Sequence, residues 1–371
     1  MSGTLTHRSL IWSNVLISVM LAGDMTDSGG LSERDLALVE VLQVDPRTSW
    51  AAAARATNTS PVTAARRWQR LVDRGDAWVT GAPGVSVWNA QCVAYVDIRC
   101  SPGQSLAVAD TLAQDRHALS VELTAGGSDV FLTTAAADLR ALSRYMLERV
   151  EMIPGITDTR TRISTQLYRD GSHWRLGARS REGSSASPTT PHPTSITRPS
   201  VLPHLEALDR KILVQLGLDG RSSYASLAAN AAVSEATVRR RVARLLSSGG
   251  VLLRAEVAAH PAGWPVPVIL SVDAPTSGLV ETAREIARLR QVRLCATLAG
   301  TPPIIVSAWL RDVEAIHHFE TTLVQAVPSI TVVDRLITLR TIKRMGRLLD
   351  EDGRAVAAVP MDIWTDPLSM A

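Results

Sequence analysis

Lysine is almost missing from this chain. Only Lys211 and Lys343 occur among 39 basic residues, so nearly all of the positive charge is arginine, and the formal net charge is +3. A GC-rich genome favours arginine codons, whereas the planar guanidinium also suits phosphate and guanine recognition. Composition alone does not choose between these explanations, and the small net charge does not identify a partner.

Cysteine is scarce as well, and its three positions lack the spacing of metal ligands. Cys92, Cys100 and Cys295 form an odd set, which fits free thiols in a reducing cytoplasm. We therefore expect a cytoplasmic protein whose cysteines pack as small hydrophobic residues. The sequence predicts neither a metal site nor a cofactor.

Long hydrophobic runs are also absent. The segment 10–22 is apolar over about 13 residues but contains Ser13, Asn14 and Ser18, and a bilayer span needs about 20 apolar residues. We expect no membrane association. A signal peptide with Arg8 as its basic region is an alternative, but we favour an upstream extension before a native start at Met25. With 46% hydrophobic and 20% charged residues, the remainder has the composition of a soluble globular protein of two to four domains.

The chain repeats itself at a fixed offset of 174 residues. The register begins in the first third of each half and reappears far downstream, where Gly126 matches Gly300 and Pro154 matches Pro328. Such a register is the signature of a duplicated unit. Matched pairs include Asp35 with Asp209, Arg47 with Arg221, Ser60 with Ser234, Arg66 with Arg240, Arg67 with Arg241, and Arg70 with Arg244.

Ser, Thr and Pro dominate the segment between the halves, which predicts a linker. The expected organisation is an N-terminal extension (1–30), helix-turn-helix 1 (31–90), ferredoxin-like domain 1 (91–176), the linker (177–200), helix-turn-helix 2 (201–260), ferredoxin-like domain 2 (261–349) and a C-terminal tail (350–371).

Each half opens with three helical patterns separated by a short turn. Ser60 before Pro61 predicts the cap and first residue of the third helix, and Asn58 suits a tight turn with positive φ. Ala232 takes the same turn position in the second half. Beyond the third helix, residues 77–79 and 85–88 flank a Gly-containing bend and predict a two-stranded wing. Each half then alternates strands and helices in the order βαββαβ, the ferredoxin-like order, so the predicted fold class is α+β.

The third helix of each half carries an arginine face opposite an apolar one. Val238, Val242 and Leu245 recur at helical spacing, and Ala64, Trp68, Leu71 and Val72 take the inner face in half one. Such a face can be merely solvated, but it occurs twice after the same short helix and turn. A helix of this kind fits the major groove. The predicted DNA-contacting residues are Ser60, Thr63, Arg66, Arg67, Arg70, Ser234, Glu235, Thr237, Arg240, Arg241 and Arg244.

These segments resemble the helix-turn-helix of the leucine-responsive and asparagine regulator (Lrp/AsnC) family. The match is LDRKILVQLGLDGRSSYASLAANAAVSEATVRRRVARLLSSGGV in half two, with a similar segment in half one. The βαββαβ units are similar to that family's amino-acid-sensing domain. The resemblance implies a transcriptional regulator of double-stranded DNA, responsive to an amino acid or related metabolite. It also implies homo-oligomers, or here an internal pseudo-dimer.

The resemblance places an effector site at the turn between the second and third strands. Carried over, the site comprises Gly126, Gly127, Ser128 and Asp129 in half one, and Gly300 and Thr301 in half two. Half two has Pro303 where half one has Asp129, so it lacks a carboxylate for an ammonium group. Gly126-Gly127 also fits an ordinary hairpin turn.

Three other functions stay open at this point. An architectural DNA-binding protein would bind DNA with weak sequence preference and no ligand response. One helix-turn-helix could be degenerate and serve only as a dimer contact. An enzyme of ferredoxin-like fold is disfavoured, because no nucleophile triad, carboxylate pair or metal-spaced cluster recurs, and His317-His318 has no third ligand nearby.

Overall fold

A computed structural model describes residues 30–177 and 205–369 of this chain. The expected N-terminal extension, the start at Met25 and nearly all of the expected linker lie outside the described residues. Within the described ranges, no helix is both long and apolar enough to cross a bilayer.

The two trihelical units form as the repeat predicts. Serines cap five of the six helices through side-chain acceptors, among them Ser60 and Ser234 at the third helices. Asn58 and Ala232 both have positive φ, 49° and 56°, at the turn before the third helix. The helices are α1 (Glu33–Val44), α2 (Trp50–Ala56) and α3 (Pro61–Asp73), then α7 (Ala207–Leu218), α8 (Tyr224–Ala231) and α9 (Glu235–Ser247).

Hydrophobic burial follows the expected inner faces with one exception. Ala64, Trp68 and Leu71 are buried, as are Val238, Val242 and Leu245. The expectation for Val72 is wrong, because its side chain is 38% exposed. Positions 64, 68 and 71 already define the buried stripe, and the next residue lies about 100° further around the helix, beyond the edge of that stripe.

The wing is built differently from the expectation. Strand β1 (Ala77–Pro83) pairs antiparallel with β6 (Val251–Val257) of the other half, with Thr80 opposite Arg254. The expected second strand at Val85–Trp88 is a short helix, α4. Each half therefore donates one strand to a shared ribbon. The ribbon joins the two helix-turn-helix units, and β1 is buried along its whole length.

Each sensing domain has the predicted βαββαβ order. In half one the elements are β2 (Cys92–Cys100), α5 (Ser105–Ala113), β3 (Ala118–Ala125), β4 (Val130–Ala136), α6 (Leu139–Tyr145, continued by a π-helical turn) and β5 (Ile156–Arg169). In half two they are β7 (Val266–Asp273), α10 (Leu279–Arg288), β8 (Val292–Leu298), β9 (Ile304–Leu310), α11 (Ala315–Ala326) and β10 (Thr331–Arg344).

The two sheets close on each other into a ring of eight strands. β5 pairs with β2 of its own half and then with β8 of the other, and β10 pairs with β7 and then with β3. Both strands are 14 residues long, which lets each one span the two sheets. Apolar side chains such as Tyr95, Phe131 and Ile269 fill the space between the sheets. The chain thus pairs its halves internally, as a pseudo-dimer.

The expected C-terminal tail is instead part of the fold up to residue 369. It adds β12 (Ala355–Ala358), which pairs with β11 (Arg347–Leu349) at the end of the expected ferredoxin-like domain 2, and it buries Met361 and Ile363 against Trp88 and Leu119. The reason is hydrophobic: these side chains cover apolar surface at the junction between the ribbon and the ring.

Candidate DNA interface and effector site

The third helices, α3 and α9, present guanidinium groups to solvent. Arg66 and Arg70 on α3 and Arg240 on α9 are exposed. Within the described part of the chain these three form no ion pair or side-chain hydrogen bond. Their donors are therefore available for phosphate oxygens or for the acceptor atoms of guanine.

Other predicted arginines are already engaged within the protein. Arg67 donates to Asp35 at 2.9 Å, and at the matched positions Arg241 lies 3.4 Å from Asp209. Arg244 also donates to Asp209, which is fully buried. These pairs fasten each third helix to the first helix of its unit. Sequence reasoning missed this role, although the repeat carried the signal: Asp35 and Asp209 match at the same offset as the arginines.

In half two, the pKa of Arg241 agrees with this anchoring role. The hydrogen bond that Arg241 donates to Glu206, at 2.9 Å, raises the pKa of its guanidinium, and Asp209 adds to the effect. A cation held by two carboxylates has less to gain from a phosphate than a free one. DNA contact by Arg67, Arg241 and Arg244 stays a prediction.

The polar N-terminal residues of the third helices act as caps. Ser60 accepts from the backbone N–H of Thr63 at 3.1 Å, and Ser234 accepts from that of Thr237 at 3.2 Å. Glu235 pairs with Arg239 at 2.7 Å. The caps fix where each helix begins, and their predicted contacts with bases are untested.

A reciprocal arginine exchange links the two helix-turn-helix units. Arg221 donates to the carbonyl oxygens of Pro46 and Thr48 at 2.6 and 3.1 Å, and Arg47 donates to that of Ser222. Arg221 also lies 4.2 Å from the ring centre of Trp50. The pair obeys the pseudo-two-fold relation, and it joins the loop between the first and second helices of one unit to the matching loop of the other.

The expected effector turn of half one is tightly packed. A Cβ added at Gly126, where φ is +133°, would lie 2.5 Å from the carbonyl oxygen of Arg335 on β10. Asp129 accepts a 2.8 Å hydrogen bond from the backbone N–H of Cys100, and Ser128 is buried. A side chain of Asp334 lies beside Gly127. The carboxylate of Asp129 therefore already has a structural partner.

The matched turn of half two also meets the opposite half. Arg160 on β5 donates to the carbonyl oxygen of Thr301 at 2.7 Å, and Gly300 has φ of +123°. Both turns thus contact the long strand of the other half, the Gly126 turn at β10 and the Gly300 turn at β5. A ligand seated at either turn would touch both halves, but binding there stays a prediction.

A second concave site, which sequence reasoning missed, lies between the two sheets beneath the ribbon. Its volume is about 140 Å³, and its lining combines apolar side chains with Arg254, Arg293 and Arg344. Those arginines come from β6, β8 and β10, far apart in sequence. All three strands belong to half two, and residues of half one complete the lining, so no local motif could have indicated the site.

The histidine pair and the three cysteines show no metal-binding arrangement within the described part of the chain. His317 and His318 are exposed on α11, and no cluster of three metal-ligating side chains occurs within residues 30–177 and 205–369. Cys295 is buried, and burial raises the pKa of its thiol to about 12, whereas Cys92 and Cys100 are half-buried.

Family models match both halves of the chain. The AsnC-type helix-turn-helix domain matches residues 31–72 and 205–246, and the Lrp/AsnC ligand binding domain matches residues 93–173 and 268–348. The chain belongs to the Lrp/AsnC family. It carries the family unit twice, and the boundaries of the matches follow the structural repeat.

Relatives in the family align with part of this chain over nearly their whole length. An HTH-type transcriptional regulator of Pyrococcus horikoshii is 30% identical over 148 residues, which is 39% of this chain and 97% of the relative. The HTH-type transcriptional regulator Ptr1 of Methanocaldococcus jannaschii is 26% identical over 140 residues, 38% of this chain and 95% of the relative.

One solved structure resembles the Lrp/AsnC chain over most of its length. The siroheme decarboxylase NirDL has a TM-score of 0.53 and 13% identity, with 86% of this chain and 96% of that chain covered. At that identity the likeness is one of fold alone.

Proposed function

We propose that this protein is a sequence-specific DNA-binding transcriptional regulator that reads one duplex with both of its third helices and responds to a small metabolite. The observation that carries the proposal is the duplicated arginine face: exposed, partner-free guanidiniums at Arg66, Arg70 and Arg240, each on a helix capped and held by its own unit.

The arrangement of the units supports the same proposal. Family members named above are regulators, and a helix-turn-helix dimer presents two recognition helices to successive major grooves. Here the ribbon of β1 and β6, together with Arg47 and Arg221, fixes two such helices within one chain. Binding would therefore need no second copy to supply the other half-site.

The test is selection of duplexes from a random pool by the full chain, followed by fluorescence anisotropy at several salt concentrations. Arg66→Ala and Arg240→Ala should each weaken binding and reduce the slope of log K against log salt by about 1, because one fewer counterion is released. Arg284→Ala removes an exposed arginine from α10 in the sensing domain and is the matched control.

Equal affinity and slope in all three variants would contradict the assigned face. We propose the regulatory role without a catalytic one. Incubation of the chain with siroheme, followed by mass spectrometry, addresses the fold relationship to the decarboxylase: a decarboxylated product formed in many turnovers would overturn that part of the proposal.

A further inference from the structure

The cavity between the sheets lies on the pseudo-two-fold axis of the chain. Residues matched at the 174-residue offset line it from opposite sides. Examples are Tyr95 with Ile269 and Phe131 with Ile305. In a homodimer a cavity on such an axis is lined by two copies of the same residues, so its two sides carry the same charges.

Duplication within one chain has removed that constraint. Leu119 faces the cavity where the other half has Arg293, and Asp170 faces it where the other half has Arg344. Arg254 matches Thr80, which donates a hydrogen bond to the carbonyl oxygen of Gly217 instead. Half two therefore supplies all three guanidiniums, and the cavity has one cationic side.

Two of the three guanidiniums are paired with carboxylates of the protein itself, and Arg254 also lies 3.8 Å from Asp170. Glu256 accepts from Arg254 at 2.6 Å and from Arg293 at 3.0 Å, and all three side chains are buried. Burial alone would raise the pKa of Glu256, but the surrounding arginines lower it below its ordinary value. Glu256 is therefore ionised, and it forms ion pairs with both Arg254 and Arg293.

Arg344 is the third guanidinium, and it is not paired with Glu256. It is 8% exposed and forms no ion pair with any described residue, and its one side-chain hydrogen bond goes to Thr341 at 3.3 Å. Its Nη1 atom is buried without a hydrogen-bond partner among the described residues, as is the Nε atom of Arg254. A buried charged donor without an acceptor costs free energy, so both atoms can gain from an acceptor placed in the cavity.

The remaining side chains that line the cavity indicate which kind of ligand would fit beside the cationic groups. Two guanidiniums lie over the ring of Trp309: the distance to the ring centre is 3.7 Å from Arg293 and 4.6 Å from Arg344. This stacking holds the cationic groups in place. Most of the remaining lining is apolar, including Trp88, Phe131 and Leu167. Such a surface suits an apolar body attached to one anionic group.

We propose that this cavity binds a small organic carboxylate with an apolar body, whose carboxylate accepts hydrogen bonds from Arg344 and whose body lies against the apolar walls. The nearby carboxyl of Glu122 also lines the cavity. Burial raises its pKa, against the lowering effects of Arg344 and Arg293, so it opposes an incoming anion less than an ordinary glutamate would.

The position of the cavity also couples it to the DNA-binding units. Arg254 and Glu256 belong to β6, which forms the ribbon with β1, whereas Arg293 and Arg344 belong to the sensing ring. A carboxylate that engages Arg344 changes the charge balance around Glu256 and Arg254. We expect the ligand to shift the ribbon and so the spacing of α3 and α9; this effect rests on the proposed function, whereas the binding itself does not.

The binding test is isothermal titration calorimetry of the full chain with benzoate, hexanoate and indole-3-acetate as probes. Their neutral amides, benzamide, hexanamide and indole-3-acetamide, are the matched ligands. At least one carboxylate should bind, and its amide should bind at least about tenfold more weakly, as expected when a hydrogen bond to a charged group is lost. Failure of all three carboxylates, or equal binding of each amide, would overturn the proposal.

Variants locate the site. Arg344→Gln should abolish the preference for the carboxylate, and Arg344→Lys should keep part of it, because the charge remains without the guanidinium fork. Arg340→Gln, on the same strand but outside the cavity, is the control and should bind as the parent does. If Arg344→Gln fails to fold, the lysine variants provide the test. An unchanged carboxylate affinity in both Arg344→Lys and Arg254→Lys would contradict the proposed binding site.

DNA anisotropy with and without the bound carboxylate separates the two proposals. Carboxylate binding that depends on Arg344 in a chain that binds no DNA would contradict the proposed function and leave the site standing. DNA binding without any carboxylate binding would contradict the proposed ligand site and leave the proposed function standing. A carboxylate that binds but leaves DNA affinity unchanged would refute the coupling through the ribbon.

Discussion

Lys343 is fully buried near the end of β10, and its replacement by methionine should stabilise the protein at neutral pH. Its ammonium donates to the backbone oxygen of Asp115 at 2.7 Å, and burial lowers its pKa from 10.5 to about 7, against the raising effect of Asp115. The carboxylate of Asp115 is taken by Arg149 and Tyr145, so it compensates the ammonium only in part.

The sign follows from proton binding. Between pH 7 and 10.5 the unfolded chain keeps the lysine proton while the folded chain has released it, so the free energy of unfolding rises with pH across this window. The pKa difference, 10.5 less about 7, amounts to about 3.5 pH units, or about 5 kcal/mol at about 1.36 kcal/mol per unit. Most of that destabilisation is present at pH 7 and is relieved on titration towards pH 10.

Urea unfolding at a series of pH values measures this effect. The parent should gain about 3 kcal/mol relative to Lys343→Met between pH 7 and pH 10, because only the parent releases the proton. Lys211→Met is the control, since Lys211 is exposed on α7. With only two lysines, lysine-selective NMR labelling also gives the titration of Lys343 directly. Parallel pH profiles for parent and variant, or a Lys343 signal that titrates above pH 9, would refute the reasoning.

Three further outcomes follow from the contacts of the helix-turn-helix units and the C-terminal segment. Arg240→Ala should weaken DNA binding without lowering the unfolding midpoint, whereas Arg241→Ala should lower the midpoint by removing an anchor of Asp209; thermal melts and anisotropy together detect a reversal of this pattern. Arg221→Ala should lower the DNA affinity, because it removes the two hydrogen bonds to Pro46 and Thr48 and leaves the ribbon and Arg47 to join the units; an unaltered affinity would contradict a role of Arg221 in positioning the two third helices. Met361→Ala should cost about 2–5 kcal/mol of unfolding free energy, measured in urea, since the side chain is 4% exposed; no change would mean that the segment does not pack as described.

The sequence predicted each unit well where the physics is local. Serine caps, the turn at Asn58 and the apolar spacing of Val238, Val242 and Leu245 depend on neighbours along one helix, and the structure has all of them. The βαββαβ order was predicted in both halves for the same reason.

What sequence reasoning missed depends on contacts between the halves. The wing at Val85–Trp88 was expected within one unit, but β1 finds its partner on β6. Arg240, Arg241 and Arg244 on α9 were assigned to DNA, although Arg241 and Arg244 contact Asp209 within the protein. The cavity with Arg344 needs strands from both halves, and the C-terminal segment looked like a tail because its buried side chains are only two.

Hydroxyl-radical footprinting of a selected duplex tests the central claim most directly. If one chain inserts both third helices, the footprint should show two protected segments one helical turn, about 10 base pairs, or a multiple of it apart. Arg240→Ala should weaken protection at one segment and Arg66→Ala at the other. A single protected segment, or two segments that respond identically to either variant, would contradict the account.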